Sequence, residues 1–242
     1  MINLLHSKMN RFNYKEWVLY FANNDKHRLR VDCTREADLP KEKQKLIFPS
    51  IRAFQKGEGS DGRYLLEAVD DFVQKTGEDE YKDAMLWFVK EENWHSAYLR
   101  KYMCHYQLPV KEKSFLDKAF RKLRQLGGLK CEVTVLITAE MIALTYYDAL
   151  GKCTNSAVLK RICDQMLHDE LPHVMFQSYT LSHFKNSRLD EIVRVLLMEV
   201  TSLFVWGAFH EVYRAGGYDF STYFRENLGY LRQSVMLARR CD

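Results

Sequence analysis

The sequence predicts an all-α protein centred on a four-helix bundle, and three observations carry that prediction. Gly and Pro are scarce, at 11 and 4 among 242 residues, while Leu, Met, Lys and Glu are plentiful, a balance that favours helices. Apolar residues recur at spacings of three and four over several long stretches, the period of a helix with one buried face. Turn signals divide four of these stretches into two pairs, and short turns make antiparallel hairpins. Hydrophobic residues make up 47% of the chain, enough to fill a substantial core. No Pro/Gly/Ser-rich linker divides it, so it reads as a single domain over 1–242. The bundle is expected at about 45–184 and a helical extension at about 189–238.

Residues 14–23 read as a short amphipathic helix carrying Trp17, Tyr20 and Phe21. The polar stretch that follows, to Glu42, has no periodic signal. A first long helix is expected over about 45–75, on the stripe Ile47, Ile51, Phe54, Leu65, Val69 and Phe72. Gly77-Glu78-Asp79 supplies the turn. A second is expected over about 80–106, on Tyr81, Met85, Phe88, Glu92, His95, Leu99 and Tyr102, with Pro109 beyond its end. A crossover with a short helix at 114–125, closed by Gly127-Gly128, leads to a third long helix over about 130–150. That helix has Val133, Leu136, Glu140, Ala143 and Tyr147 on one face and Gly151 as its stop. The fourth, over about 156–183, aligns Leu159, Ile162, Met166, Glu170, His173 and Gln177. A strongly apolar fifth helix over 189–215 ends at Gly216-Gly217, and a last one covers 221–237.

Two Glu-x-x-His motifs stand inside these apolar stripes, Glu92-Asn93-Trp94-His95 and Glu170-Leu171-Pro172-His173. A gap of three residues places both side chains on adjacent turns of one helix face. A carboxylate oxygen beside an imidazole nitrogen suits iron, manganese or zinc better than calcium or magnesium. On the first long helix Glu58 and Glu67 both lie near the required level. They are nine residues apart and so face opposite sides. Glu58 continues the apolar stripe, and Glu67 falls on the wet face. On the third helix Glu140 lies well inside the stripe, whereas Glu132 is near the helix start. The predicted metal ligands are therefore Glu58, Glu92, His95, Glu140, Glu170 and His173. Four carboxylates balance two divalent cations, which explains how four acids can share a core. Pro172 removes a backbone amide within the second motif and is expected to kink that helix between its two ligands.

One Glu from each of two helices, with Glu-x-x-His from each of two others, is similar to the ligand pattern of di-iron carboxylate proteins of the ferritin-like superfamily. The resemblance covers residues 45–183. Within it, Gln55-Lys56-Gly57-Glu58-Gly59-Ser60-Asp61-Gly62 resembles a bacterial ferritin-like family of mostly unassigned function. It implies a ferritin-like bundle with the crossover between helices 2 and 3 and extra N- and C-terminal helices. It also implies a cofactor of two iron ions, with Mn/Fe as the variant. Glu91 and Asp169, the acids before each motif, are expected to hydrogen-bond ligand histidines, and Asp61 to support Glu58. Tyr98, Tyr102 and Tyr147 are candidates to line a substrate pocket.

Di-iron sites of this kind activate O₂ or peroxide, or oxidise Fe(II). The C-terminal helices could roof a pocket, which favours an oxidoreductase that oxidises or hydroxylates a small organic molecule. The alternatives are a ferroxidase, a rubrerythrin-like peroxide reductase and a non-catalytic metal-stabilised scaffold. The six cysteines form no C-x-x-C pair, which excludes a rubredoxin-type site and requires an external electron donor. The formal charge of +4 is modest. The densest basic run, 118–130 with Arg121, Lys122 and Arg124, reads as a solvated helix face, so nucleic acid is not favoured as a partner. Residues 1–11 lack a signal-peptide apolar region, and no apolar run is expected to reach the ~20 residues of a membrane span. The expectation is a soluble cytoplasmic protein with no membrane partner, for which a homodimer is allowed.

Overall fold

The computed structural model describes residues 2–59, 62–110 and 127–239, and these are all-helical. In chain order the helices are α1 (Tyr14–Asn24), α2 (Lys41–Glu58), α3 (Arg63–Thr76), α4 (Asp79–His105), α5 (Gly128–Cys153), α6 (Ala157–Ser182), α7 (Arg188–Ala215) and α8 (Phe220–Ala238). Short 3₁₀ turns at Leu4–His6, Lys8–Arg11 and Asp25–His27 flank α1. The chain divides into two compact units. One is Met1–Asn10, Glu36–Ser50 and Val133–Asp242; the other is Arg11–Arg35 and Ile51–Glu132. The expected short helix at 114–125 and its basic run as far as Arg124 lie outside the described residues. So do Asp61 and Cys241.

In the second unit, α1 and α3 pack on α4. A capping box starts α1: Asn13 accepts from the Glu16 amide at 3.0 Å, and Glu16 accepts from the Asn13 amide at 2.8 Å. Trp17 and Phe21 are fully buried from this helix, and Phe21 meets Phe88 of α4 with ring centroids 6.5 Å apart. Phe72 of α3 stands edge-on to Tyr81 of α4 at 5.2 Å.

The expected first long helix is two helices. The chain leaves α2 at Glu58 and re-enters a helix at Arg63, with Gly62 in the left-handed region at φ 65. A side chain at Gly62 would stand 3.0 Å from Val89 of α4. The break thus depends on a neighbour distant in sequence, and apolar periodicity alone runs straight through it.

In the other unit, α6 and α7 both pack on α8. Buried polar groups join them. The Ser178 and Ser234 hydroxyls are 2.7 Å apart, the buried Arg194 guanidinium donates to Ser234 at 2.6 Å, and Asn227 donates to Ser202 at 3.3 Å. Helix α5 is buried on nearly every side, so its stripe carries little directional information. Gly151 does not stop this helix, which continues to Cys153. A side chain at Gly151 would stand 3.2 Å from Cβ of Cys163, so the glycine permits close approach of α6. Gly127-Gly128 lies at the start of α5. Helix α6 runs as one helix through Pro172.

Among the described residues two helices meet the length and composition of a membrane span, contrary to the reading that none would. They are α5, whose apolar window is 78% buried inside the fold, and α7, whose window is 28% buried.

Cys104, Cys153 and Cys163 are free thiols. Burial pushes the Cys163 thiol well above its ordinary range and that of Cys153 up to about 11. In the unfolded chain both ionise near pH ~8.5, so the unfolded state holds fewer protons at alkaline pH. Their contribution to stability is complete below that pH and is lost as pH rises toward 11. We expect the urea midpoint to fall between pH ~8 and ~10, and Cys163→Ala to flatten that decline, measured by equilibrium denaturation.

Candidate metal centre

In the second unit, Glu92 and His95 lie one turn apart on α4, and Glu58 is the last residue of α2. His95 is fully buried. Its Nδ1 is 3.5 Å from Oε1 of Glu92 and 3.9 Å from Oε2 of Glu58. In the other unit, Glu170 and His173 lie one turn apart on α6, and Glu140 is on α5. Both motif residues are fully buried. Nδ1 of His173 is 3.4 Å from Oε2 of Glu170 and 3.7 Å from Oε2 of Glu140. Each unit therefore carries the same half-site: one imidazole nitrogen facing the carboxylate of its own motif and a carboxylate from a second helix.

These separations exceed a hydrogen bond of about 2.7–3.2 Å. They approach the spacing of two donors on one cation. Two atoms each ~2.1 Å from an ion, at tetrahedral or right angles, stand roughly 3.0–3.5 Å apart. The buried Glu/His groups could thus hold a metal ion, and carboxylate with imidazole suits iron, manganese and zinc alike. The most open of the acids is Glu92, whose side chain is 15% exposed, against 0% for Glu170.

Local structure sets the position of Glu58. One turn before it, Gln55 donates from Nε2 to Oγ of Ser96 at 2.9 Å, and Ser96 donates back to the Gln55 carbonyl at 3.0 Å. This clamp ties the end of α2 to the residue after His95. A side chain at Gly59 would meet Oγ of Ser96 at 3.0 Å. Gly59 therefore lets the chain pass close to α4. Ser96→Ala is expected to loosen Glu58 and weaken metal binding about tenfold, with little change in thermal stability, read by metal titration. Glu67 is exposed on α3, as its phase predicted.

The acids before the motifs are both buried. Glu91 accepts from Nδ2 of Asn24 at 2.9 Å, and one of its oxygens lies within 4.8 Å of a ring nitrogen of His95. Asp169 accepts from Nε2 of Gln165 with both oxygens at 2.9 Å, and Nδ1 of His168 stands 2.9 Å from it. Tyr98, Tyr102 and Tyr147 are packed in the interior. The Tyr98 hydroxyl accepts from the Leu29 amide at 3.2 Å, and its ring centroid is 6.5 Å from that of His95. Tyr102 packs against Tyr106 and Tyr147 against Tyr146, with centroids 5.2 and 5.1 Å apart.

Sequence reading missed the Gln55–Ser96 clamp, for which no local pattern exists. It set Glu132 aside by level, yet that residue is buried. It placed Gln177 on the ligand face without assigning it a role. Gln177 is fully buried one turn beyond His173, and neither amide atom has a hydrogen-bond partner among the described residues. Comparison of the chain with protein-family models, curated proteins and solved structures finds no match.

Proposed function

We propose that this chain is a ferritin-like, non-haem di-metal oxidoreductase. It uses two iron ions, or one manganese and one iron, to activate O₂ and oxidise or hydroxylate a small organic molecule. The observation that carries the reading is the doubled half-site: in each unit a buried histidine Nδ1 faces two carboxylates at 3.4–3.9 Å. The set of one Glu from each of two helices, plus Glu-x-x-His from each of two others, supports assigning one metal to each half-site.

Bound iron or manganese supplies the electrons that reduce O₂ or peroxide. The protein's own residues do the rest. His95 and His173 present ring nitrogens from fully buried positions, where water is excluded. The four carboxylates offset the charge of the ions, so the centre need not be neutralised from solvent. Glu58, at the helix end held by the Gln55–Ser96 pair, and Glu140, inside α5, each bring a carboxylate from outside the two motifs. The absence of a C-x-x-C pair requires that electrons come from a separate donor.

The test is reconstitution with Fe(II), followed by metal analysis and measurement of O₂ consumption with a reductant. Two metal ions per chain and reductant-dependent O₂ uptake are expected. Fewer than one ion per chain would sink the reading. Fe(II) oxidation that stores ferric mineral would make the protein a ferroxidase, and fast peroxide turnover without O₂ uptake a peroxide reductase. Metal binding that stabilises the chain with no redox chemistry would make it a scaffold.

A further inference from the structure

Helix α7 carries a second feature, independent of the metal site. Its inner side is buried: Arg194, Met198, Thr201, Ser202 and Val205 all point into the fold, and the Tyr223 hydroxyl of α8 donates to the Ser202 carbonyl at 3.1 Å. Its outer side is exposed and apolar. Leu189 is 68% exposed, Leu196 54%, Val200 50% and Leu203 55%, with Ile192, Val193, Val195 and Phe204 also open. From Ile192 to Ala208 the charged residues of this helix are Arg194, which is buried, and Glu199, which is half-buried; the fully open residues are all uncharged. Eight large side chains exposed to this degree present on the order of 700 Å² of apolar surface on one face. That exceeds the few hundred Å² usual for a lone chain and approaches the ~800 Å² each partner contributes to a standard interface.

The spacing names the occupant. Leu189, Val193, Leu196, Val200, Leu203 and Gly207 alternate by four and three, the period of a helix that packs along a second helix. The series is also symmetric about position 198. Reversed, it superposes on itself, with Leu189 opposite Gly207, Ile192 opposite Phe204, Val193 opposite Leu203 and Leu196 opposite Val200. An isologous two-fold contact between antiparallel helices requires this self-complementarity.

Size and charge agree with it. The most exposed side chain, Leu189, falls against Gly207, whose missing side chain has nothing within 4 Å. At each end Arg188 of one copy comes level with Ala208 of the other, one turn from Glu211, so opposite charges meet. A parallel pairing would set Gly207 on Gly207 and Arg188 on Arg188. The helical dihedrals hold along the seam, and the departure at Phe209 (φ −137, ψ 17) lies beyond it. We infer that the exposed face of α7 is the interface of a two-fold homodimer, in which two copies of this helix pair antiparallel about Met198.

A bilayer is the rival occupant of such a face. Against it, a helix that inserts flat into a membrane surface carries a basic flank. Here the charged residue that flanks the open face is acidic, the half-buried Glu199, and the one arginine between Ile192 and Ala208, Arg194, is buried.

Sedimentation equilibrium of the full chain tests the inference. The wild type is expected at twice 28.7 kDa. Leu196→Lys alone and Val200→Glu alone are each expected to weaken the dimer about 100-fold or more, with unchanged helical circular dichroism, because each buries an unpaired charge in the seam. The double variant Leu196→Lys/Val200→Glu is expected to recover at least about tenfold, since in the antiparallel pairing each lysine faces the other copy's glutamate. A monomeric wild type overturns the inference, whether or not it binds anionic vesicles. A dimer indifferent to Leu196→Lys overturns the interface, and a double variant without recovery overturns the antiparallel pairing.

Discussion

Glu170→Gln is expected to remove metal from its half-site while leaving the metal-free protein at least as stable as the wild type. The residue is fully buried on α6, and its carboxylate lies 3.4 Å from Nδ1 of His173. The amide keeps the shape and volume but not the charge. A neutral oxygen is a poor ligand for a divalent cation, so affinity should fall on the order of 10²–10³-fold, more than the 10–100-fold typical of losing an outer hydrogen-bond partner. A buried charge without its cation is costly, and the amide does not carry that cost. The two effects have opposite signs and are read separately. Metal per chain after dialysis should drop, and the melting temperature without metal should hold or rise. The wild type should gain about 2.7 kcal/mol when free metal is ~100 times its dissociation constant, and the variant should gain far less at the same concentration. Glu67→Gln, on the exposed side of α3, should change neither measurement. If Glu170→Gln retained the wild-type metal content, the half-site would be a set of buried acids with another purpose.

Gly216→Ala should be the most damaging single methyl group in the chain's turns. Gly216 caps α7 beside α5. A side chain there would collide with the carbonyl oxygen of Ala149 and stand 2.6 Å from its Cα. These are backbone atoms, so no rotamer change relieves the clash, and α5 is buried nearly all round. Either the helix end or α5 must move. The cost should exceed about 3 kcal/mol, at the severe end for a point substitution. The neighbouring Gly217 is an internal control. It has φ 88 but nothing within 4 Å, so Gly217→Ala should cost only the left-handed backbone penalty of roughly 1–2 kcal/mol. Equal costs in chemical denaturation would show that backbone strain, and not the approach of α5, governs this turn.

Much of the helical pattern was legible in the chain. The expected α1, α4, α6, α7 and α8 lie within a residue or two of those observed, because capping and turn residues mark their ends. The fourth stripe was read most closely: Leu159, Ile162, Met166, Glu170, His173 and Gln177 are all fully buried. Where the stripe was not one-sided, reading failed. Helix α5 is apolar around its circumference, so its phase and its end at Cys153 were poorly marked, and Gly151 was taken for a stop. On α4 the buried acid is Glu91, at 8% exposure, as well as the half-buried Glu92, because the protected face is broader than a single heptad line.

The sequence by itself determined the ingredients: helices, their approximate spans, and two Glu-x-x-His pairs each facing inward. These follow from the helical repeat, which is local and is written in residue spacing. The tertiary structure decided what no spacing encodes. It ends α2 at Glu58, because a left-handed Gly62 must clear Val89, and it holds Glu58 through Gln55 and Ser96. It buries Asp169 and Glu91, and it leaves one whole face of α7 open to solvent. Each of these depends on which distant side chain arrives at a given surface. That is set by packing between helices far apart in the chain, where sequence periodicity has no reach.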